Sequence, residues 1–324
     1  MNEVTIIMYH YVRDLKHSKY PKINGLDLPL FVEQIEYIKK NYNVVTMESV
    51  IKAFDEGSQL PPKSALLTFD DAYSDHYNYV FPILDERHIQ GSFFPPVKAL
   101  TDHTVLDVNK IHFILAAVEN KNILIDDILS QLKVYRDEYN LESDLYYLEK
   151  LSIANRFDKK EVIFIKRLLQ VELKEELRKL ITNYLFNKYV SKNEETFSRD
   201  LYMSIDQIKC MKRNGMHIGC HGYDHYWLGS LSKAKQVEEI NKSLDFIRDI
   251  GGDETNWTMC YPYGNYDQNT IDILKDKGCK LGLTTEVDIA VTKIHNQYEL
   301  PRLDTNDIPK DRYETPNGWY IKAY

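Results

Sequence analysis

Over the first hundred positions, apolar residues fall into short runs separated by stretches with helical periodicity. Val4 to Tyr9 reads as a strand, Leu30 to Asn41 as a helix opened by Pro29, Asn43 to Thr46 as a short strand and Met47 to Phe54 as a helix. Leu66 to Phe69 is the next strand, followed by a helix over Asn78 to His88. A strand over Ser92 to Phe94 is stopped by Pro95-Pro96, because proline brings no N–H to a ladder. Alternation of this kind predicts a mainly parallel sheet or barrel.

The pattern changes between Val97 and Asn214, which contain neither Gly nor Pro and are rich in Leu, Ile, Lys and Glu. Ile165, Leu168, Leu169, Leu173, Leu177, Leu180, Ile181, Tyr184 and Leu185 repeat at helical spacing and read as a packing stripe. The block reads as a helical insertion that could form a lid, a substrate-selecting wall or a contact between copies in a homo-oligomer. Alternation then resumes. Ser204 and Gln207 form a capping box, the helix runs to Asn214, and Gly215 suits the left-handed residue after it. Met216 to Cys220 is a strand, Leu231 to Asp249 an amphipathic helix, Trp257 to Tyr261 a strand, Gln268 to Lys277 a helix and Cys279 to Leu283 a strand. Seven strand candidates are barrel-like and one short of eight. The expected organisation is one barrel over 1–310, a helical insertion at 101–200 between strands four and five, and a tail at 311–324.

Composition narrows the class without naming a chemistry. The 324 residues carry a net charge of -8, and no basic stripe suited to tracking phosphates is visible, so no nucleic-acid partner is expected. The first residues lack a basic leader with an apolar core, and no run reaches membrane-spanning length. A cytoplasmic protein without a membrane span is the expectation. Cys210, Cys220, Cys260 and Cys279 show no zinc-knuckle or redox spacing and read as reduced and buried.

Three strand ends carry candidate chemistry. Thr68-Phe69-Asp70-Asp71 delivers two adjacent carboxylates, which either cap the next helix or divide two tasks in a cleft if the chain turns there. In His221-Gly222-Tyr223-Asp224-His225 the histidines share one face of a helical turn, so both imidazoles can reach one cation. Two histidines and a carboxylate make a recurrent open metal site. In Cys260-Tyr261-Pro262-Tyr263-Gly264 a tight turn could aim the Tyr263 N–H into a cleft as an oxyanion donor.

In this order, the three motifs resemble those of the polysaccharide deacetylases, the NodB-homology group of carbohydrate esterase family 4, over roughly 1–100 and 200–310. The resemblance implies a distorted barrel of seven β/α units, with Asp71, His221 and His225 as ligands of one divalent ion and Asp70 as general base. Zinc is the first choice, and cobalt, nickel, iron and manganese suit the same donors. Tyr261, Pro262 and Trp227 are the expected substrate-binding residues. The arginine usual in the third motif is Cys260 here, so Arg302 in Leu300-Pro301-Arg302 is the candidate for orienting Asp70, the rival reading being a surface pair with Asp304. A late Leu-x-His motif is missing. His10, at the end of the first strand, is the candidate acid, as in family members whose motifs look circularly permuted, and His295 is the runner-up. The implied activity is metal-dependent N-deacetylation of an acetamido sugar in a glycan or glycan precursor. A non-catalytic carbohydrate-binding barrel and an amidase acting on another small amide are the alternatives.

Overall fold

The computed structural model describes residues 2–153 and 159–322. The chain divides into two compact units. One comprises Met1–Asp14, Gly25–His103 and Arg199–Tyr324; the other comprises Thr104–Ser198 and Leu15–Asn24, the second piece being one the hydrophobic pattern did not reveal.

The first unit is α/β. In chain order its strands are β1 (Glu3–Tyr9), β2 (Val12–Arg13), β3 (Leu26–Asp27), β4 (Asn43–Val44), β5 (Ser64–Asp70), β6 (Gly91–Phe94), β7 (His217–Ile218), β8 (Thr258–Cys260), β9 (Leu281–Leu283), β10 (Ala290–Val291) and β11 (Leu303–Asp304). A seven-stranded mixed sheet runs β10-β1-β5-β6-β7, with β11 added to β1 and β4 to β5, while β8 pairs with β9 and β2 with β3. Only β10 is antiparallel. The centre is β5, whose seven residues are all buried because both of its faces are covered.

Register sets the level of the core and of the rim above it. Tyr9, Phe69 and Phe93 are aligned across β1, β5 and β6. Their rings stack with centroids 4.9 and 4.8 Å apart, and Phe31 meets Tyr9 edge-on at 5.4 Å. The next residues, His10 and Asp70, therefore emerge together at the C-terminal end of the strands.

The structure departs from the expected closed barrel. Among the described residues, β8 and β9 pair with each other, and single-residue bridges from Met259 to Cys220 and from Leu283 to Leu300 link them to the segments beside β7 and β11. Strands of two or three residues cannot sustain a full ladder, and the Pro262–Gly264 turn ends β8 at once. The Asn78–His88 helix also differs: a π-turn over His76–Val80 precedes a helix at Phe81–Glu86. Pro82 has no N–H to offer Asn78, and the Phe81 N–H reaches back to His76 O instead.

The second unit is helical, with helices Asp107–Ala117, Lys121–Tyr139, Asp144–Leu151, Lys160–Arg167 and Glu175–Tyr189. Residues 154–158 of the predicted block lie outside the described residues. The apolar stripe is buried at Ile165, Leu168, Leu169, Leu177, Ile181 and Leu185. It is not one helical face, because a π-turn over Leu168–Glu172 and an extended Leu173 reset the phase and leave Leu180 and Tyr184 exposed. Lys110 is buried there against Asn183 and Glu194, at 2.6 and 2.8 Å.

Close packing at the rim yields a stability prediction. A Cβ at Gly219 would sit 2.4 Å from the Phe94 ring and 2.7 Å from Thr258 Oγ1. Gly219→Ala should destabilise the first unit by about 1–3 kcal/mol, as overpacking does; an unchanged midpoint in urea unfolding would show that the ring can give way.

Candidate active site

Two consecutive carboxylates diverge because the backbone turns between them. Asp70 ends β5, whereas Asp71 and Ala72 adopt left-handed conformations with φ of 73° and 54°, an arrangement non-glycine residues rarely take. Asp71 N–H donates to Phe94 O at 3.1 Å, anchoring the turn on β6.

Asp70 is buried against a cation. Arg302, 1% exposed, donates from Nη1 to Asp70 Oδ1 at 3.1 Å, and its Nη2 lies 2.9 Å from Oδ2. The guanidinium is held by Nε–H to Thr284 O at 2.8 Å and Nη1–H to Thr68 Oγ1 at 3.2 Å. Arg302 is therefore not the surface partner of Asp304. The Cys260 thiol adds a third donor to Asp70 Oδ2 at 3.3 Å, and burial, with Asp70 nearby, keeps it a thiol by raising its pKa. Burial alone would raise the Asp70 carboxyl, but Arg302, with His221 and His10, holds it at about 2. His10 Nε2 stands 3.9 Å from Asp70 Oδ2 on a partly exposed ring. Its carbonyl is joined at 2.7 Å by Nε2 of the fully buried His76. A carbonyl can only accept, so His76 carries its proton on Nε2.

Asp71 faces the histidines. Its Oδ1 is buried without a hydrogen bond of good geometry, and His221 Nε2 and His225 Nε2 stand 3.5 and 3.3 Å away. Its Oδ2 accepts from the Tyr73 hydroxyl at 2.6 Å, and His221 Nδ1 lies 2.7 Å from Cys260 O. Burial would raise the Asp71 carboxyl, but the two imidazoles hold it well below the usual range. Atoms ligating one ion tetrahedrally at about 2.1 Å stand about 3.4 Å apart, so this orphaned oxygen and its two nitrogens have the spacing of a cation site. Asp70, His221 and Cys260 also cluster. The guanidinium on Asp70 makes that second set a poor cation site, and Asp71, His221 and His225 fit one better.

Other sequence candidates fall in different places. Tyr263, at φ 57° inside the turn, packs its ring 4.7 Å from His225 and 4.6 Å from Trp227, stacking on the latter. Trp227 Nε1 is buried without a partner. Tyr261 and Pro262 do not offer side chains to a substrate. Tyr261 is fully buried, stacked on Tyr266 and donating to Tyr298 O at 2.8 Å, and Pro262 is buried beneath the same turn. They shape the turn rather than line a cleft. His295 accepts from Val291 N–H at 3.0 Å beside β10, which pairs with Glu3 and Val4 at the far end of β1. Six residues of strand, roughly 20 Å, separate that end from His10, so the runner-up acid is not at this site.

Tyr73 and His76 escape a reading by motif, because single residues after a strand end carry no periodic signal. Glu239, which accepts from the backbone of the 221–225 loop, had one: it shares the buried helix face of Gln236, Ile240, Ser243 and Ile247, where an acid is out of place.

A family model described as polysaccharide deacetylase matches residues 57–112 and 149–282, more than half of the chain and including part of the helical block left out of the sequence resemblance. A poly-beta-1,6-N-acetyl-D-glucosamine N-deacetylase of Staphylococcus epidermidis is 26% identical over 233 residues, covering 67% of this chain and 72% of that protein. The deacetylase PplD of Streptococcus pyogenes, solved in complex with acetate, superposes with a TM-score of 0.57 at 18% identity, over 93% of this chain and 92% of that one. IcaB from Ammonifex degensii gives 0.55 at 18% identity, over 100% and 97%.

The buried ion pair makes a prediction of its own. The Asp70 carboxyl is depressed from 3.8 to about 2, so the stability it contributes is present above the ordinary value and is lost as pH falls through about 2. Arg302→Met leaves that carboxylate buried and unpaired, and should destabilise at pH 7 by about 3–5 kcal/mol. Adding Asp70→Asn should recover most of the loss; strictly additive losses in urea unfolding would show that the two groups are not coupled.

Proposed function

The chain belongs to the polysaccharide deacetylase family, and from that premise we propose that it removes the acetyl group from an acetamido sugar of a glycan or glycan precursor with the help of one divalent ion. The observation that carries this reading is the orphaned Asp71 Oδ1 facing two imidazole nitrogens, next to a carboxylate kept ionised by Arg302. A poly-β-1,6-linked N-acetylglucosamine chain is the first substrate to test, given the activity for which the Staphylococcus epidermidis relative is named.

Asp71, His221 and His225 would hold the ion, zinc first. A divalent ion supplies a Lewis acid that polarises an amide carbonyl and makes water more acidic. Asp70 takes a proton from the attacking water, and its low pKa ensures that it is a carboxylate at neutral pH. Arg302 and Cys260 fix which lone pairs of Asp70 remain for that proton, since both carboxyl oxygens already accept donors. The Tyr263 N–H, in the tight turn where Tyr263 has φ 57°, is assigned to the developing oxyanion. His10, exposed on one side and 3.9 Å from Asp70 on the other, delivers a proton to the departing amine. Water adds to the carbonyl carbon, the C–N bond breaks, and acetate and a free amino sugar result. A pure binding protein has no need of a base buried with its own guanidinium, which favours this reading over a non-catalytic barrel.

Acetate release from acetylated glucosamine oligomers, with and without added zinc, tests the proposal. Asp71→Asn should lose bound metal and activity together, whereas Asp70→Asn should retain metal and lose turnover by about 10²–10⁴-fold, the range of general-base catalysis. Full activity in either variant would sink the assignment. His10→Ala should lower kcat with bound metal unchanged, and wild-type kinetics would remove it as the acid.

A further inference from the structure

The loop that carries both histidines is fastened from two sides. Its carbonyls meet the start of the short helix Val97–Thr101: Val97 N–H donates to Gly222 O at 3.3 Å and Lys98 N–H to Tyr223 O at 2.9 Å. Lys98 also pairs with Asp224. Its amides meet a single acid on the long helix Lys233–Asp249. Glu239 Oε2 accepts from Tyr223 N–H at 3.0 Å and from Asp224 N–H at 2.9 Å.

This loop does not hold its shape unaided. Gly222 has φ 73° and His225 has φ 56°, and a left-handed conformation at a residue with a side chain costs about 1 kcal/mol or more unless its surroundings over-determine it. Glu239 is packed directly against the bend, since a Cβ at Gly222 would lie 3.5 Å from its Oε2. The acid is 5% exposed and makes no ion pair with a cationic side chain among the described residues. Burying a carboxylate on backbone donors alone is expensive. A fold that needed only a filled space there would be served by a leucine.

We propose that Glu239 is the positioning residue of the cation site: by gathering two consecutive amides on one oxygen it sets the loop so that both imidazoles face Asp71 Oδ1. The inference rests on the reading of Asp71, His221 and His225 as the ligands. Among the described residues Glu239 makes no hydrogen bond or ion pair with the three side chains and acts through the backbone between the histidines. Reach and acceptor geometry are what matter, not charge. Glutamine preserves both through its amide oxygen, whereas aspartate keeps the charge and is one methylene too short.

Zinc affinity of the full chain, measured by competition with a chromophoric chelator at fixed pH, separates these terms. Glu239→Gln should bind zinc within about threefold of wild type, whereas Glu239→Asp and Glu239→Ala should lose about 10–100-fold, as loss of an outer support to a ligating histidine does. Circular dichroism and thermal melts of the metal-free variants identify any that fail to fold, and the Gln and Asp pair still decides if Ala does. Wild-type affinity in Glu239→Asp overturns the proposal, and so does a loss in Glu239→Gln equal to that in Glu239→Asp. A wild-type chain that binds no zinc overturns the ligand assignment itself, and is distinguishable because no variant is then needed to see it.

Discussion

A guanidinium removed from water must find a carboxylate, and the surroundings of Arg302 leave it one choice. It is 1% exposed and reaches both oxygens of Asp70 from a strand-end segment 232 residues further along the chain. To make that reach, β11 must lie parallel to β1, with Leu303 opposite Ile7, and β5 must lie on the other side of β1. The same placement brings His10, at the end of β1, to the side of Asp70. Sheet order, the ionisation of Asp70 and the position of His10 are thus tied to one buried pair.

The neighbouring carboxylate is governed by a different constraint. Asp71 leaves the strand in a left-handed turn and gives one oxygen to Tyr73, leaving the other to two imidazoles. Each imidazole needs a second anchor to keep its outer nitrogen aimed. His221 has the Cys260 carbonyl, and His225 is wedged between His221 and Tyr263. Cys260 serves both halves of the site: its carbonyl meets His221 and its thiol meets Asp70. At position 260 a small neutral donor suffices because the positive charge arrives from Arg302.

Much of this was legible in the sequence wherever a feature repeats or stands in a motif. The β-α alternation of the first hundred residues and the capping box at Ser204 and Gln207 each arise from local physics, whereas His221 and His225 come together not on the expected helical turn but in a loop bent by left-handed Gly222 and His225. Arg302 could be nominated because position 260 lacked a cation, although nothing local distinguished burial from a pair with Asp304. What escaped has equally specific causes. Strands of two residues, such as β10 and β11, show no alternation to read. Tyr261 reads as a cleft residue because it adjoins a turn, but its ring is fully buried and stacks on Tyr266. The apolar stripe in the helical unit reads as continuous in the sequence because neither Gly nor Pro marks the π-turn at Leu168–Glu172.

The sequence separation of Asp70 and Arg302 also gives the buried pair a history within each molecule. Chains are made from the N-terminus at about 5–20 residues per second, so Asp70 emerges roughly 10 to 50 s before Arg302 exists. Throughout that interval the central strand cannot take its final buried position without stranding a naked carboxylate. Full burial of β5 is therefore favoured only once Arg302 has been made.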